Sequence, residues 1–285
     1  MAKCYRSELV GVFGCPVDEN PTGVMEEAAF RAKDLDFRYI TVKVEKENLG
    51  DALKALRAMN MRGINLTIPH KVNAVKYVDQ LSPEAEIIGA INVIVNNGGI
   101  LLGDNSDGKG FMKSLTDRGI SVKGKILTIL GAGGAARAIS VEAAMQGASK
   151  IRIINGSERG AELSRLINDK TPADAEYVPW TSGIRIPEDT DLLVNATPLG
   201  LYPNVNQRPD IDYSTVTEKM TVCDVVFNDP NTLFLQEAKS RGAETVNGLG
   251  MLANQGAINF ELWTGVEAPL DVMTETLKKE FGLSI

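Results

Sequence analysis

The stretch that most constrains this chain runs from Lys125 to Ala138, K-I-L-T-I-L-G-A-G-G-A-A-R-A. Ile126 to Leu130 is an apolar run broken by a single Thr, which suits a short strand buried in a parallel sheet. Gly131, Gly133 and Ala136 then satisfy G-x-G-x-x-[G/A]. Gly131 permits the tight turn out of the strand, Gly133 lets a pyrophosphate approach the backbone, and Ala136 lets the next helix pack closely. That helix, expected from Ala135 to Gln146, would aim its free N–H groups and positive dipole end at the phosphates. A second β-like run, Lys150 to Ile154, follows at βαβ spacing. A bare glycine triplet is compatible with a ligand-free turn, but strand, glycines and helix in this order imply a dinucleotide-binding domain.

At 285 residues the chain has room for roughly two domains. It is 44% hydrophobic and 24% charged, the composition of an ordinary globular protein. No apolar run reaches the length of a membrane span, and the first residues hold no signal-peptide core, so a cytoplasmic protein without membrane partners is expected. A net charge of −7 argues against a nucleic-acid surface. The three cysteines (Cys4, Cys15, Cys223) are scattered, and His70 is the single histidine, so no Cys/His metal site is expected. Proton transfer then falls to Lys, Asp or Tyr rather than to a histidine-based machinery.

Before the glycine motif, β-like and helical patterns alternate as in an α/β domain. Strands are expected at Leu9–Phe13, Phe37–Val44, Gly63–Ile68 and Ile91–Val95, the last closed by the N-N-G-G turn at 96–99. Helices are expected at Val24–Leu35, Leu49–Met59, Lys71–Asp79 and Ala85–Ile88, then a connecting helix at Asp107–Asp117. Beyond Lys150–Ile154, strands are expected at Ala175–Pro179, Leu192–Asn195 and Thr221–Val226. Met251–Trp263 and Val272–Phe281 read as closing helices.

Several of these pieces together resemble the shikimate/quinate dehydrogenases over nearly the whole chain. They are G-I-N-L-T-I-P-H-K (63–71), G-A-I-N-V-I (89–94), G-D-N-S-D-G (103–108), G-A-G-G-A-A-R-A (131–138), N-A-T-P-L-G (195–200), D-V-V-F-N-D-P-N-T (224–232) and G-L-G-M-L-A-N-Q-G-A (248–257). The resemblance implies an α/β protein of two domains. One is a substrate domain made of residues 1–107 and completed by the helices of 252–285; the other is a Rossmann-type NAD(P) domain over 108–251, clamped against it. It also implies a catalytic pair, Lys71 and Asp107, in which the lysine exchanges the proton of the reacting hydroxyl and the carboxylate orients it. Each alone would pass for an exposed helix residue and an ordinary helix cap. Thr67, Asn92 and Gln255 match substrate-binding positions. Gly131, Ala132, Gly133, Gly134, Ala135, Asn155, Ser157, Glu158, Arg159, Ala196, Thr197, Pro198, Val226, Gly248 and Met251 match the cofactor site. A monomer or homodimer is expected.

The match fails in the substrate-carboxylate turn. Where the family shows S-x-S-P, this chain reads D-E-N-P-T-G. Counting back from Phe30 puts Asn20 and Thr22 at the two serines, whereas aligning on the proline would use Asp18 and Asn20. Phe227 replaces a tyrosine whose hydroxyl helps to hold the substrate carboxylate, and Val93 replaces a threonine. Each lost charged hydrogen bond typically costs about 1.5–3 kcal/mol. The expectation is a related cyclic polyol or hydroxyketone, with shikimate or quinate as the alternative. A non-catalytic sensor of dinucleotide or cyclitol is a reading of another class, opposed by the intact Lys71 and Asp107. After the second strand, N-R-T-x-x-[R/K] becomes N-G-S-E-R-G (155–160), with glycine at both basic positions. Glu158 then favours NAD by bonding the ribose 2′-hydroxyl and repelling a 2′-phosphate, with NADP as the alternative through Arg159.

Overall fold

The computed structural model describes residues 5–283; Cys4 lies outside them. The chain divides into two compact units, one of residues 1–106 and 255–285, the other of residues 107–254.

The first unit opens with β1 (Glu8–Gly14), α1 (Thr22–Ala32), β2 (Phe37–Lys43), α2 (Leu49–Ala58) and β3 (Gly63–Leu66). It continues through β4 (Gln80–Leu81), α3 (Pro83–Ile88), β5 (Val93–Asn97) and β6 (Ile100–Asp104). The six strands form one mixed sheet in the order β2-β1-β3-β5-β6-β4. β1 runs parallel to β2 and β3, whereas β5 pairs antiparallel with β3 and β6. The hairpin between β5 and β6 turns on Gly98 and Gly99, whose φ values of +62° and +100° explain why both are glycine. The turn was legible in the sequence; the second hairpin strand, Ile100–Asp104, was not. One face of the sheet is covered by α2, whose Leu49, Leu53 and Leu56 recur at helical spacing and pack with Ile64, Ile94 and Leu101.

One expected helix is absent. Lys71–Asp79 is a turn followed by a 3₁₀ segment at Asn73–Tyr77. An α-helix would need the Lys71 carbonyl to accept from the N–H four residues on. Here it accepts from Ile91 N–H at 2.9 Å instead, while the buried His70 ring binds Val44 O at 2.8 Å. Long-range bonds thus hold this segment as a turn.

The second unit begins within α4 (Ser106–Thr116) and continues with β7 (Ile126–Leu130), α5 (Gly134–Met145), β8 (Lys150–Asn155), α6 (Arg159–Lys170) and β9 (Asp174–Pro179). β10 (Ile184–Arg185), β11 (Leu192–Asn195), β12 (Ile211–Asp212), β13 (Thr221–Asp224), α7 (Leu233–Ser240) and β14 (Glu244–Val246) complete it. Six strands form a sheet ordered β14-β13-β11-β7-β8-β9, every pair parallel. This is the doubly wound Rossmann order, whose ligand site lies at the carboxyl edge where the strand order reverses. That reversal falls between β7 and β11, where Gly131 begins. α8 (Leu249–Thr264) starts in this unit and ends in the first, followed there by α9 (Leu270–Glu280). In the first unit Phe30 of α1 stacks on Phe37 and Phe260, and Trp263 Nε1–H donates to Ile94 O at 3.1 Å. Among the described residues, no helix is long and apolar enough to cross a membrane, and no acid, His and Cys cluster could hold a metal.

Candidate active site

In the second unit the site starts at the end of β7. Gly131 has φ +103°, and a Cβ there would lie 3.1 Å from Ala196 O and 3.2 Å from Thr197 Cγ2. Only glycine meets both demands cheaply. Gly133 is extended and opens α5 without any side-chain cap, so the first N–H groups of the helix are left for an external acceptor. A Cβ at Gly133 or Gly134 would meet nothing within 4 Å. Open space in front of uncapped helix N–H groups is what a diphosphate requires, and the residues present therefore fit a dinucleotide. Ala136 is fully buried, in keeping with its helix-packing role.

At the end of β8, Asn155 Nδ2 donates to Ser157 O at 3.0 Å and to Ser157 Oγ at 2.9 Å, fixing the next turn. Gly156, Ser157, Glu158 and Arg159 are exposed, whereas Gly160 is buried. A Cβ on Gly160 would stand 2.5 Å from Tyr177 Cε2, and the Tyr177 hydroxyl donates to Asn155 O at 3.1 Å. Tyr177 therefore closes one of the two positions where a basic side chain was missed in the sequence. Gly156 faces open space, so the other remains sterically available.

The loops after β11 and β13 are joined by a polar network that the sequence reading left out. Asp224 Oδ1 accepts from Asn195 Nδ2 at 3.0 Å and from Val226 N–H at 3.1 Å. Its Oδ2 accepts from Thr232 Oγ1 at 2.7 Å. Asn195 Oδ1 in turn accepts from Thr197 N–H and Oγ1, at 3.1 and 2.6 Å. Ala196, Thr197, Pro198 and Val226 are thereby held on one frame. Burial pushes the Asp224 carboxyl up to about 6, despite three donors that favour its charge. Gly248 lies against this loop, since a Cβ there would come 2.5 Å from Val226 O. Met251 packs on the core of the same unit, and Phe227 is half-buried just beyond Val226.

In the first unit Asn20, Thr22, Thr67 and Lys71 follow the carboxyl ends of β1 and β3, and Asn92 O accepts from Leu66 N–H at 2.8 Å. Gly14 is glycine because a Cβ would stand 2.3 Å from Thr67 Cγ2, and Cys15 N–H donates to Ile68 O at 2.9 Å. The turn carrying Asn20 and the turn carrying Thr67 and Lys71 are thus stitched together. Asn20 Oδ1 accepts from the N–H of buried Thr22 at 3.0 Å, an Asx turn that leads into α1. Asp18 and Glu19 are exposed, and Lys71 is half-buried. Asn92 is buried, and its amide braces the start of α4: Oδ1 accepts from Ser106 N–H at 2.7 Å, and Nδ2 lies 2.9 Å from Ser106 Oγ. It therefore fixes the residue immediately before Asp107, the first residue of the other unit. Gln255 is buried, and its Oε1 accepts from Asn259 Nδ2 at 3.2 Å.

Beneath these residues lies a buried acid the sequence did not reveal. Both carboxyl oxygens of Glu26 are buried without a hydrogen-bond partner, and burial drives its pKa well above the usual carboxylate range. Tyr39 is shifted upward by burial and by the neighbouring Glu26, while its hydroxyl donates to Asn65 Oδ1 at 2.9 Å. Asn65 Nδ2 donates to Asn92 O at 3.2 Å.

A parallel Rossmann sheet with an uncapped glycine turn in one unit, and a lysine turn in the other, fits an NAD(P)-linked oxidoreductase of the CH–OH group. Residues 12–94 match the shikimate dehydrogenase substrate-binding domain, and residues 248–278 the shikimate 5′-dehydrogenase C-terminal domain. The chain is 44% identical to the shikimate dehydrogenase (NADP(+)) of Desulforamulus reducens, over 96% of both chains. It resembles the ligand-free 5-ketofructose reductase of Gluconobacter sp. strain CHM43, at 43% identity and a TM-score of 0.93, over 97% of this chain and 100% of that one. It also resembles shikimate 5-dehydrogenase from Listeria monocytogenes in complex with shikimate and NAD, at 34% identity and a TM-score of 0.90, over 96% and 97%. This chain belongs to the shikimate/quinate dehydrogenase family. The preference for NAD expected from Glu158 finds no support in relatives that carry NADP(+) in their names.

Proposed function

We propose that this chain interconverts a hydroxyl and a ketone on a neutral polyhydroxy compound, with Lys71 and Asp107 as its proton-transfer pair. A nicotinamide dinucleotide bound at the glycine turn supplies or accepts the hydride. Lys71 gives the proton to the forming hydroxyl in reduction and removes it in oxidation, and Asp107 orients the ammonium. Thr67 and Gln255 hold substrate hydroxyls. Asn92 does so while bracing Ser106 beside Asp107. The assignment of a substrate unit (1–107 with 252–285) and a cofactor unit (108–251) follows from these roles.

The observation that carries the substrate class is the loss of a carboxylate donor at Phe227, which has no hydroxyl; at Asn20 the side-chain oxygen accepts from Thr22 N–H, which leaves only the Nδ2 amide to donate from that turn. The likeness to a reductase of 5-ketofructose, a compound named as a sugar ketone rather than an acid, points the same way. A second reading, shikimate itself, is favoured by the relatives named shikimate dehydrogenase. For the cofactor we favour NADP, on those relatives' names and on Arg159, an exposed guanidinium in the turn after β8 suited to a 2′-phosphate. Following nicotinamide absorbance with NADP and NAD against shikimate, quinate, neutral cyclitols and keto-sugars tests both. Turnover of a neutral compound, with the acids poor, is expected. Efficient oxidation of shikimate at low KM would overturn the substrate class.

A further inference from the structure

We propose that Asp224 is a positioning residue that biases the site toward the oxidised, cationic form of a nicotinamide dinucleotide over the reduced, neutral form. The inference rests on the dinucleotide reading above. In the sheet register Asp224 pairs with Asn195, and Asn195 pairs with Leu130, the residue before Gly131. Asp224 therefore stands at the carboxyl edge two strands from the glycine turn, about 10 Å away at ordinary strand spacing.

Three hydrogen bonds hold its side chain in place, and no cation pairs with it among the described residues. Arg118 acts on neighbouring Cys223 and Arg208 lies 4.8 Å over the Tyr213 ring, but neither forms an ion pair with Asp224. Asp229, on the loop beyond β13, reinforces the negative field. Cys223 on the same strand is driven to its neutral thiol by burial, and the Tyr213 phenol is likewise pushed upward, chiefly by burial.

Holding the loops does not require a charge. An asparagine would keep its oxygen for Asn195 Nδ2 and Val226 N–H and could donate its amide to Thr232 Oγ1, at a far smaller desolvation cost. What the carboxylate adds is an uncompensated negative charge in a poorly screened edge of the sheet. Such a charge stabilises a cationic ring relative to a neutral one, by a factor of about ten for a ring about 10 Å from the carboxylate.

The test is equilibrium titration of the full chain with NADP+ and with NADPH, without substrate, at about pH 8 and about pH 5, either side of the carboxyl's value of about 6. The phosphates are common to both forms, so the ratio of the two affinities isolates the ring charge. Asp224→Asn is expected to lower the oxidised-to-reduced affinity ratio about tenfold at the higher pH. The wild-type ratio should fall toward the variant's at the lower pH. An identical ratio in both proteins at both pH values would overturn the proposal. Should the variant not fold, the wild-type pair of measurements decides alone: a ratio that does not move sinks the idea. Failure of the wild type to bind either form is a different result, which removes the dinucleotide reading and this inference with it.

Discussion

Two buried carboxylic acids, Glu26 in the first unit and Asp224 in the second, meet opposite fates. Asp224 is met by three donors and titrates at about 6. Glu26 meets none, and burial pushes its carboxyl well above its ordinary range. Burial raises both carboxyls, and only at Asp224 do hydrogen bonds to the charged form oppose it. Asp224 is built to be ionised near neutral pH beside the dinucleotide turn. Glu26, without donors, has its charged form strongly disfavoured by burial.

The largest effect is expected where the two units divide the work. Lys71→Ala should lower kcat by about 10²–10⁴, the usual worth of a general acid–base, while cofactor affinity measured by titration stays unchanged. Loss of both together would break the division. Next is the cofactor turn: Gly156→Arg enters open space and should strengthen NADP relative to NAD by about 1.5–3 kcal/mol, read from the ratio of their kcat/KM values.

The smaller effects sharpen the comparison of the acids. Both bind their proton more tightly folded than unfolded, so each contributes stability below its unfolded value that is lost as pH rises through the folded one. For Asp224 the loss runs from 3.8 to about 6. For Glu26 it begins near 4.5 and runs up through its raised folded value. Denaturant midpoints should therefore fall as pH rises above about 4.5 in the wild type, and the slope should be smaller in Glu26→Met. That variant should also be more stable at neutral pH by about 1–3 kcal/mol, because it removes an unsatisfied buried group. An unchanged slope would mean that Glu26 finds a partner in solution.

Most of the second unit could be read from the chain alone. Its strands are short apolar runs and its turns are glycine positions, and both depend on residues adjacent in sequence. The lysine turn was legible as chemistry but not as conformation. Lys71 begins a stretch with helical spacing, yet its carbonyl is taken by Ile91 N–H from twenty residues away. The cofactor turn shows the same limit. Glycine at 160 reads as a missing basic residue, and only the Tyr177 ring from the neighbouring strand shows that the position is filled.

Local pattern was enough for the glycine turn after β7 and the helix that follows it, because a buried strand and a phosphate-facing helix start are specified by residues a few positions apart. The charge states of Glu26 and Asp224, the turn at Lys71 and the bracing of Ser106 by Asn92 required the folded chain. Each depends on donors and acceptors brought together from distant segments, and desolvation exists only once those segments have packed.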